Sequence, residues 1–158
     1  MDGKKYNIIL AMLIGGIAGK CLTVKSEHKK AEQIQALSEK HLALFLMMNQ
    51  WVRIKQDGKK LAPYFTGHGY HKIAIYGMSY AGETLWNELK YSSIEIAYGI
   101  ERAAGRYSYI DILSMEESLP EVDAVVVTAI TFFDQIKQAL TEKVSCPVIS
   151  LEEILNEV

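Results

Sequence analysis

The chain has 158 residues, 49 % of them apolar, and a formal net charge of −2, enough for one ordinary domain with an appendage. Charge divides unevenly: residues 1–71 carry 11 Lys+Arg against 5 Asp+Glu (+6), and residues 72–158 carry 6 against 14 (−8). The acidic second part argues against a nucleic-acid partner and the basic first part suits an anionic membrane surface, while two distant cysteines, Cys21 and Cys146, exclude a disulfide framework and a cysteine metal site.

The chain opens "MDGKKYNIILAMLIGGIAGKCLTV", with no charge from Tyr6 to Gly19. Fourteen helical residues reach only ~21 Å, but if Lys20 snorkels, the segment continues to Val24 and reaches roughly 28 Å, close to the thickness of a hydrocarbon core. Residues 1–25 are therefore expected to be an uncleaved membrane anchor. A cleaved signal peptide ending near "GIA" (16–18) and a buried core helix are the alternatives. Gly15 and Gly19 fit a G-x-x-x-G contact between two such helices. Lys20, Lys25, Lys29 and Lys30 outnumber Lys4 and Lys5, so a single-pass protein with a cytoplasmic C-terminal domain is expected.

Residues 26–60 read as an amphipathic connecting helix. From Ser26 to about Lys55 there is no proline or glycine and good helix formers dominate. Ile34, Leu37, Leu44, Met48 and Trp51 follow heptad spacing, His41 fills the missing place, and Phe45 and Val52 widen the stripe. Two outcomes fit that stripe: a homodimer through residues 26–55, or packing on the domain that follows. "QDGKK" (56–60) ends the helix, and "LAPYFTGHGY" is a short helical turn before a strand. His68 and His71 flank that loop without a third ligand nearby, so no metal site is expected.

Residues 61–158 alternate as a doubly wound α/β domain should. The predicted strands are "KIAIY" (72–76), "IEIAYGI" (94–100), a minor edge strand "YSYIDIL" (107–113), "DAVVVTAI" (123–130) and "PVIS" (147–150). The fourth is a near-continuous β-branched run, as expected of a strand buried on both faces. Ala81–Leu89 is a predicted helix with Leu85, Trp86 and Leu89 inward. Further helix starts are read at Ser114 with Glu117, Thr131 with Asp134, and Ser150 with Glu153. The expected fold is thus a small Rossmann-like parallel sheet preceded by a long helix and an anchor helix.

The chemistry concentrates at "GMSYAG" (77–82). In the fingerprint G-x-G-x-x-G the first glycine makes the turn, the second admits a pyrophosphate, and the third lets helix meet strand. Gly77 and Gly82 supply the first and third, but Ser79 stands in the middle place. Its side chain crowds a pyrophosphate, whereas its hydroxyl can hold a phosphate or cap the helix, whose N-terminus attracts anions. Glu101 follows the second strand, where an acidic residue accepts hydrogen bonds from ribose hydroxyls, and Thr128 ends the strongest strand on the same edge. Gly77, Ser79, Tyr80, Gly82, Glu101 and Thr128 form the candidate binding set, with a nucleotide-sugar favoured over NAD. No Walker A, G-x-S-x-G, H-E-x-x-H or Tyr-x-x-x-Lys motif occurs, so no catalytic residue is assigned.

The run from "KIAIYGMSYAGETLWNEL" through "IEIAYGIERAAG" to "EVDAVVVTAI" and "CPVISLEEIL" resembles the Rossmann-like domain at the N-terminus of bacterial sugar acyltransferases. Related domains occur at the ends of certain methyltransferases and in polysaccharide-biosynthesis proteins. The resemblance covers about residues 70–158 and rests on Gly77, Gly82, Glu101 and the late "PVIS" segment; Ser79 departs from it. It implies binding of a nucleotide-linked sugar or similar phosphorylated ligand in envelope polysaccharide synthesis. The acyltransferase β-helix is missing, so its reaction does not carry over. Three functions follow from these readings. The first is a membrane-tethered accessory or regulatory module that binds a nucleotide or nucleotide-sugar. The second is a non-binding interaction module that recruits envelope enzymes, and the third is a small enzyme acting on a nucleotide-linked substrate.

Overall fold

The computed structural model describes the backbone of residues 3–102, 106, 107 and 109–158, and the side chains of 27, 29–102 and 109–158. The expected anchor, residues 1–25, lies outside the described side chains. Among the described residues no helix is long and apolar enough to cross a membrane. Residues 1–42 and 43–158 form two separate compact units. In the first, the described side chains of helix α1 (Gly3–Gln56) are exposed, and Gln35 donates to Glu39 one turn on at 3.0 Å.

The second unit is α/β. Its six-stranded sheet has the order β3–β4–β2–β1–β5–β6, with β1 Lys72–Tyr76, β2 Glu95–Glu101, β3 Arg106–Tyr107, β4 Ile110–Ser114, β5 Ala124–Val127 and β6 Val148–Ser150. Five strands are parallel and only β3 is antiparallel. The parallel order, third–second–first–fourth–fifth, matches the central strands of a dinucleotide-binding sheet and is consistent with a Rossmann-like fold. Helices α2 (Ala62–Gly67), α3 (Tyr80–Leu89), α4 (Phe133–Thr141) and α5 (Leu151–Glu157) cover it.

Both faces of the sheet are dry, which explains the unbroken apolar runs of β1 and β5. Ile73, Ile75, Ala124 and Val126 join one core with α3, α5, Leu61 and Phe65; Ala74, Tyr76, Val125 and Val127 join the other with Ile136 and Leu140 of α4. β2 changes face midway. Ile73 pairs with Ile96 but Ala74 pairs with Tyr98, so Ala97 is an extra residue. A bulge of one residue reverses side-chain parity, which is why Ile94 packs in the first core and Tyr98 and Ile100 in the second.

The first core extends into α1. Met47, Trp51 and Ile54 are each only 3 % exposed and belong to it. Glu88 of α3 fastens them: its carboxylate accepts from the Trp51 indole N–H at 2.7 Å and the Leu61 N–H at 3.1 Å, and pairs with Lys55. A buried indole N–H needs such a partner. Of the two outcomes expected for the heptad stripe, its C-terminal part thus takes domain packing.

Three local expectations change. The minor edge strand is instead two strands, with β4 inside the sheet between β2 and the two-residue β3. The link from β2 to β4 runs back through β3 rather than through a crossover helix. Ser114 and Glu117 make their reciprocal bonds, Glu117 accepting from Ser114 N at 2.9 Å and Ser114 from Glu116 N at 3.2 Å, yet no helix follows. Pro120 disfavours helical backbone at Leu119. Thr131 does not cap α4: residues Ile130–Phe132 form a 3-10 turn, and Phe132 precedes the helix without a side-chain bond. Ser150, by contrast, forms the full capping box with Glu153.

Candidate functional site

A parallel sheet brings the ends of its strands to one edge. Tyr76, the last residue of β1, lies opposite Ile100 of β2 and Val127 of β5. The next residues, Gly77, Glu101 and Thr128, are therefore level with one another. Strand order reverses at β1, so this is the switch point where open α/β sheets place ligands.

The floor of the turn is closed by the protein itself. Gly77 has φ +92°, a conformation that side chains resist, and a methyl there would stand 2.7 Å from Thr128 Oγ1. Its N–H donates to Ile100 O at 3.0 Å. Thr128 is 2 % exposed, and its hydroxyl reaches Gly77 O at 2.6 Å and Tyr76 O at 3.2 Å. A methyl on Gly82 would come within 2.1 Å of Gly77 O, so α3 can rest on the turn only without a side chain there. These three predicted site residues come together, as builders of the turn.

The rim is different. Ser79 is exposed, with extended backbone (φ −70°, ψ −163°), and its hydroxyl makes no cap to α3. Tyr80 is 90 % exposed. Glu101 is half-buried, and its Oε1 accepts from Met78 N–H at 2.7 Å. This charge-assisted bond ties the end of β2 to the turn after β1. A carboxylate has about four acceptor positions, so the same group can meet ligand hydroxyls. The first N–H groups of α3 have no partner within the helix and carry its positive dipole end.

The sequence did not single out Met78. Its N–H orients Glu101, and its side chain, 1 % exposed, lies beneath the turn, where a methyl on Gly99 would meet its Cγ at 2.7 Å. The signal was its place directly after the first glycine of the fingerprint. His68 and His71 stay apart in role: His68 Nδ1 lies 2.9 Å from Tyr64 O and Nε2 3.5 Å from Glu157, while the His71 backbone N–H donates to Asp123 at 2.8 Å. Among the described residues no three His, Cys, Asp or Glu side chains gather as a metal site.

Other cavities lie elsewhere. A groove of about 560 Å³ between α1 and α3 is lined by Met48, Trp51, Val52, Thr84 and Asn87. Another of about 270 Å³ lies beside Cys146 and Pro120. Cys146 is half-buried there; burial raises its pKa, and burial pushes that of Tyr98, whose hydroxyl donates to Pro120 O, to about 12. Neither group is set up as a nucleophile. Comparison with family models, curated proteins and solved structures finds no match for this chain.

Proposed function

We propose that the switch-point edge binds a nucleotide or nucleotide-sugar. The observation that carries this reading is the level meeting of Gly77, Glu101 and Thr128 at the point where strand order reverses. Glu101, fixed by Met78 N–H, takes ribose hydroxyls; the Ser79 hydroxyl and the first N–H groups of α3 take phosphate. A side chain at Ser79 favours a nucleotide-sugar over NAD, whose pyrophosphate needs the bare backbone.

With residues 1–25 as a membrane anchor and residues 43–158 on the cytoplasmic side, the protein acts as a tethered accessory or regulatory module in envelope polysaccharide synthesis. The resemblance to sugar-acyltransferase N-terminal domains and the lysine distribution support this role. The second reading, a non-binding interaction module, draws on the internal bonds of Thr128 and Glu101, which occupy polar groups of the turn without any ligand.

Ser79→Gly tests the ligand. Calorimetry with a uridine-diphosphate sugar and with NAD is expected to show weaker sugar binding in the variant than in the wild type. A gain for NAD instead would assign a dinucleotide cleft spoiled by one side chain. Absence of heat with both ligands in both proteins would leave the interaction module. Protease added to intact cells is expected to spare residues 43–158, and digestion from outside would reverse the orientation.

A further inference from the structure

Glu101 and the glycine turn occupy the β2 and β1 portions of the switch-point edge, and the turn after β5 borders the remaining portion. Strand order places β2 and β5 on either side of β1. Glu101 and Thr128 are level with Gly77, and neighbouring strands lie about 4.8 Å apart, so roughly 10 Å separates the two ends. A diphosphate joins the two rings of a nucleotide-sugar over about that reach. Beyond Thr128 the chain stays at this edge. A methyl on Gly77 would stand 3.7 Å from Ala129 N, and the Phe132 N–H donates back to Ala129 O at 3.0 Å. The 3-10 turn Ile130–Phe132 is thus folded back beside the glycine turn. Thr131 is exposed and does not cap α4. Phe132, a large apolar side chain, is 43 % exposed at the entry to α4, and Asp134 in the first turn of that helix is exposed as well.

We infer, on the nucleotide-sugar reading of this edge, that the turn after β5 seats the sugar ring. The Phe132 ring stacks on its C–H face, and the Thr131 hydroxyl and Asp134 carboxylate take its hydroxyls. An aromatic side chain with a few polar groups beside it is the make-up of a small-molecule subsite. A carboxylate has about four acceptor positions and a hydroxyl both donates and accepts, which suits a ring bearing several hydroxyls. The same carboxylate repels phosphate. The diphosphate therefore stays at Gly77–Ser79, and the ligand runs across the edge from β2 to β5. Ribose is held at one end by Glu101, and the sugar is selected at the other by residues 131, 132 and 134.

Calorimetric titration of the full chain in non-ionic detergent tests this, with UDP-glucose, UDP-N-acetylglucosamine and UDP itself as the probes. Phe132→Ala is expected to weaken the better-bound sugar nucleotide about fivefold or more, while UDP changes less than about twofold. Retained UDP binding also reports that the variant is folded. Phe132→Tyr, which keeps a ring, should bind the sugar nucleotide like the wild type, and Thr131→Val should lose about threefold. A wild type that binds the sugar nucleotides, with Phe132→Ala binding them equally well or losing UDP to the same extent, would overturn the sugar subsite alone. A wild type that binds none of the three would overturn the nucleotide-sugar reading and this inference with it.

Discussion

At the floor of the glycine turn, Gly77, Gly82 and Thr128 are consumed by one another. A hydroxyl bonds the turn carbonyl at 2.6 Å, and a helix rests where no side chain fits. At its rim, Ser79 and Tyr80 are exposed and the Glu101 carboxylate accepts the Met78 N–H. All six residues belong to the same predicted binding set, yet the first three build the turn and the second three form its rim. A motif therefore mixes two kinds of requirement, and only geometry separates them.

Substitutions should divide along that line. The largest effect is expected at the floor: Gly82→Ala forces a methyl against backbone and should cost about 3 kcal/mol or more, read as a lowered denaturation midpoint. Thr128→Val removes the hydroxyl and strands the Gly77 carbonyl, so about 1–2 kcal/mol should be lost. Thr128→Ser, which keeps that bond, should lose less. If Thr128→Val left stability untouched, the floor would not be the load that separates the two regions.

At the rim the signs reverse. Glu101→Gln keeps an acceptor for Met78 N–H but removes the charge, so stability should change little. Binding of a uridine-diphosphate sugar should weaken by roughly 1.5–3 kcal/mol, about tenfold or more. A stability loss as large as that of Gly82→Ala would move Glu101 to the floor.

The opposite edge of the sheet supplies a control with the smallest effect. Asp123 accepts the N–H groups of Lys72 at 2.7 Å and His71 at 2.8 Å, and those bonds hold its carboxyl below its ordinary 3.8. A carboxylate depressed in the folded state stabilises above its unfolded pKa and loses that contribution as pH falls through the folded value. Acid titration of stability below about pH 4 should flatten in Asp123→Asn, with ligand binding at neutral pH unchanged.

Much of this was legible in the chain. The β-branched run at 124–127 and the Ser150–Glu153 pair announced β5 and α5, because burial on two faces and a reciprocal cap are local properties. The tight turn at Gly77 and the close helix seat at Gly82 were legible for the same reason. What escaped depends on partners distant in sequence. Ile110, Asp111 and Ile112 alternate like an edge strand, and only pairing shows β4 lying between β2 and a two-residue β3. Periodicity showed that Trp51 needed an apolar neighbour, but not that the neighbour was the domain and the anchor Glu88. Thr128 looked like a ligand group, since its sequence position gives the edge without telling that its hydroxyl is turned down onto Gly77.

The division between floor and rim is tested most directly by calorimetric titration of the full chain, in non-ionic detergent, with a uridine-diphosphate sugar. The wild type and Glu101→Ala are compared under conditions where both unfold at closely similar temperatures. Saturable heat is expected for the wild type, with most of it lost in Glu101→Ala. Equal binding by the two proteins, or no heat from the folded wild type, would contradict it.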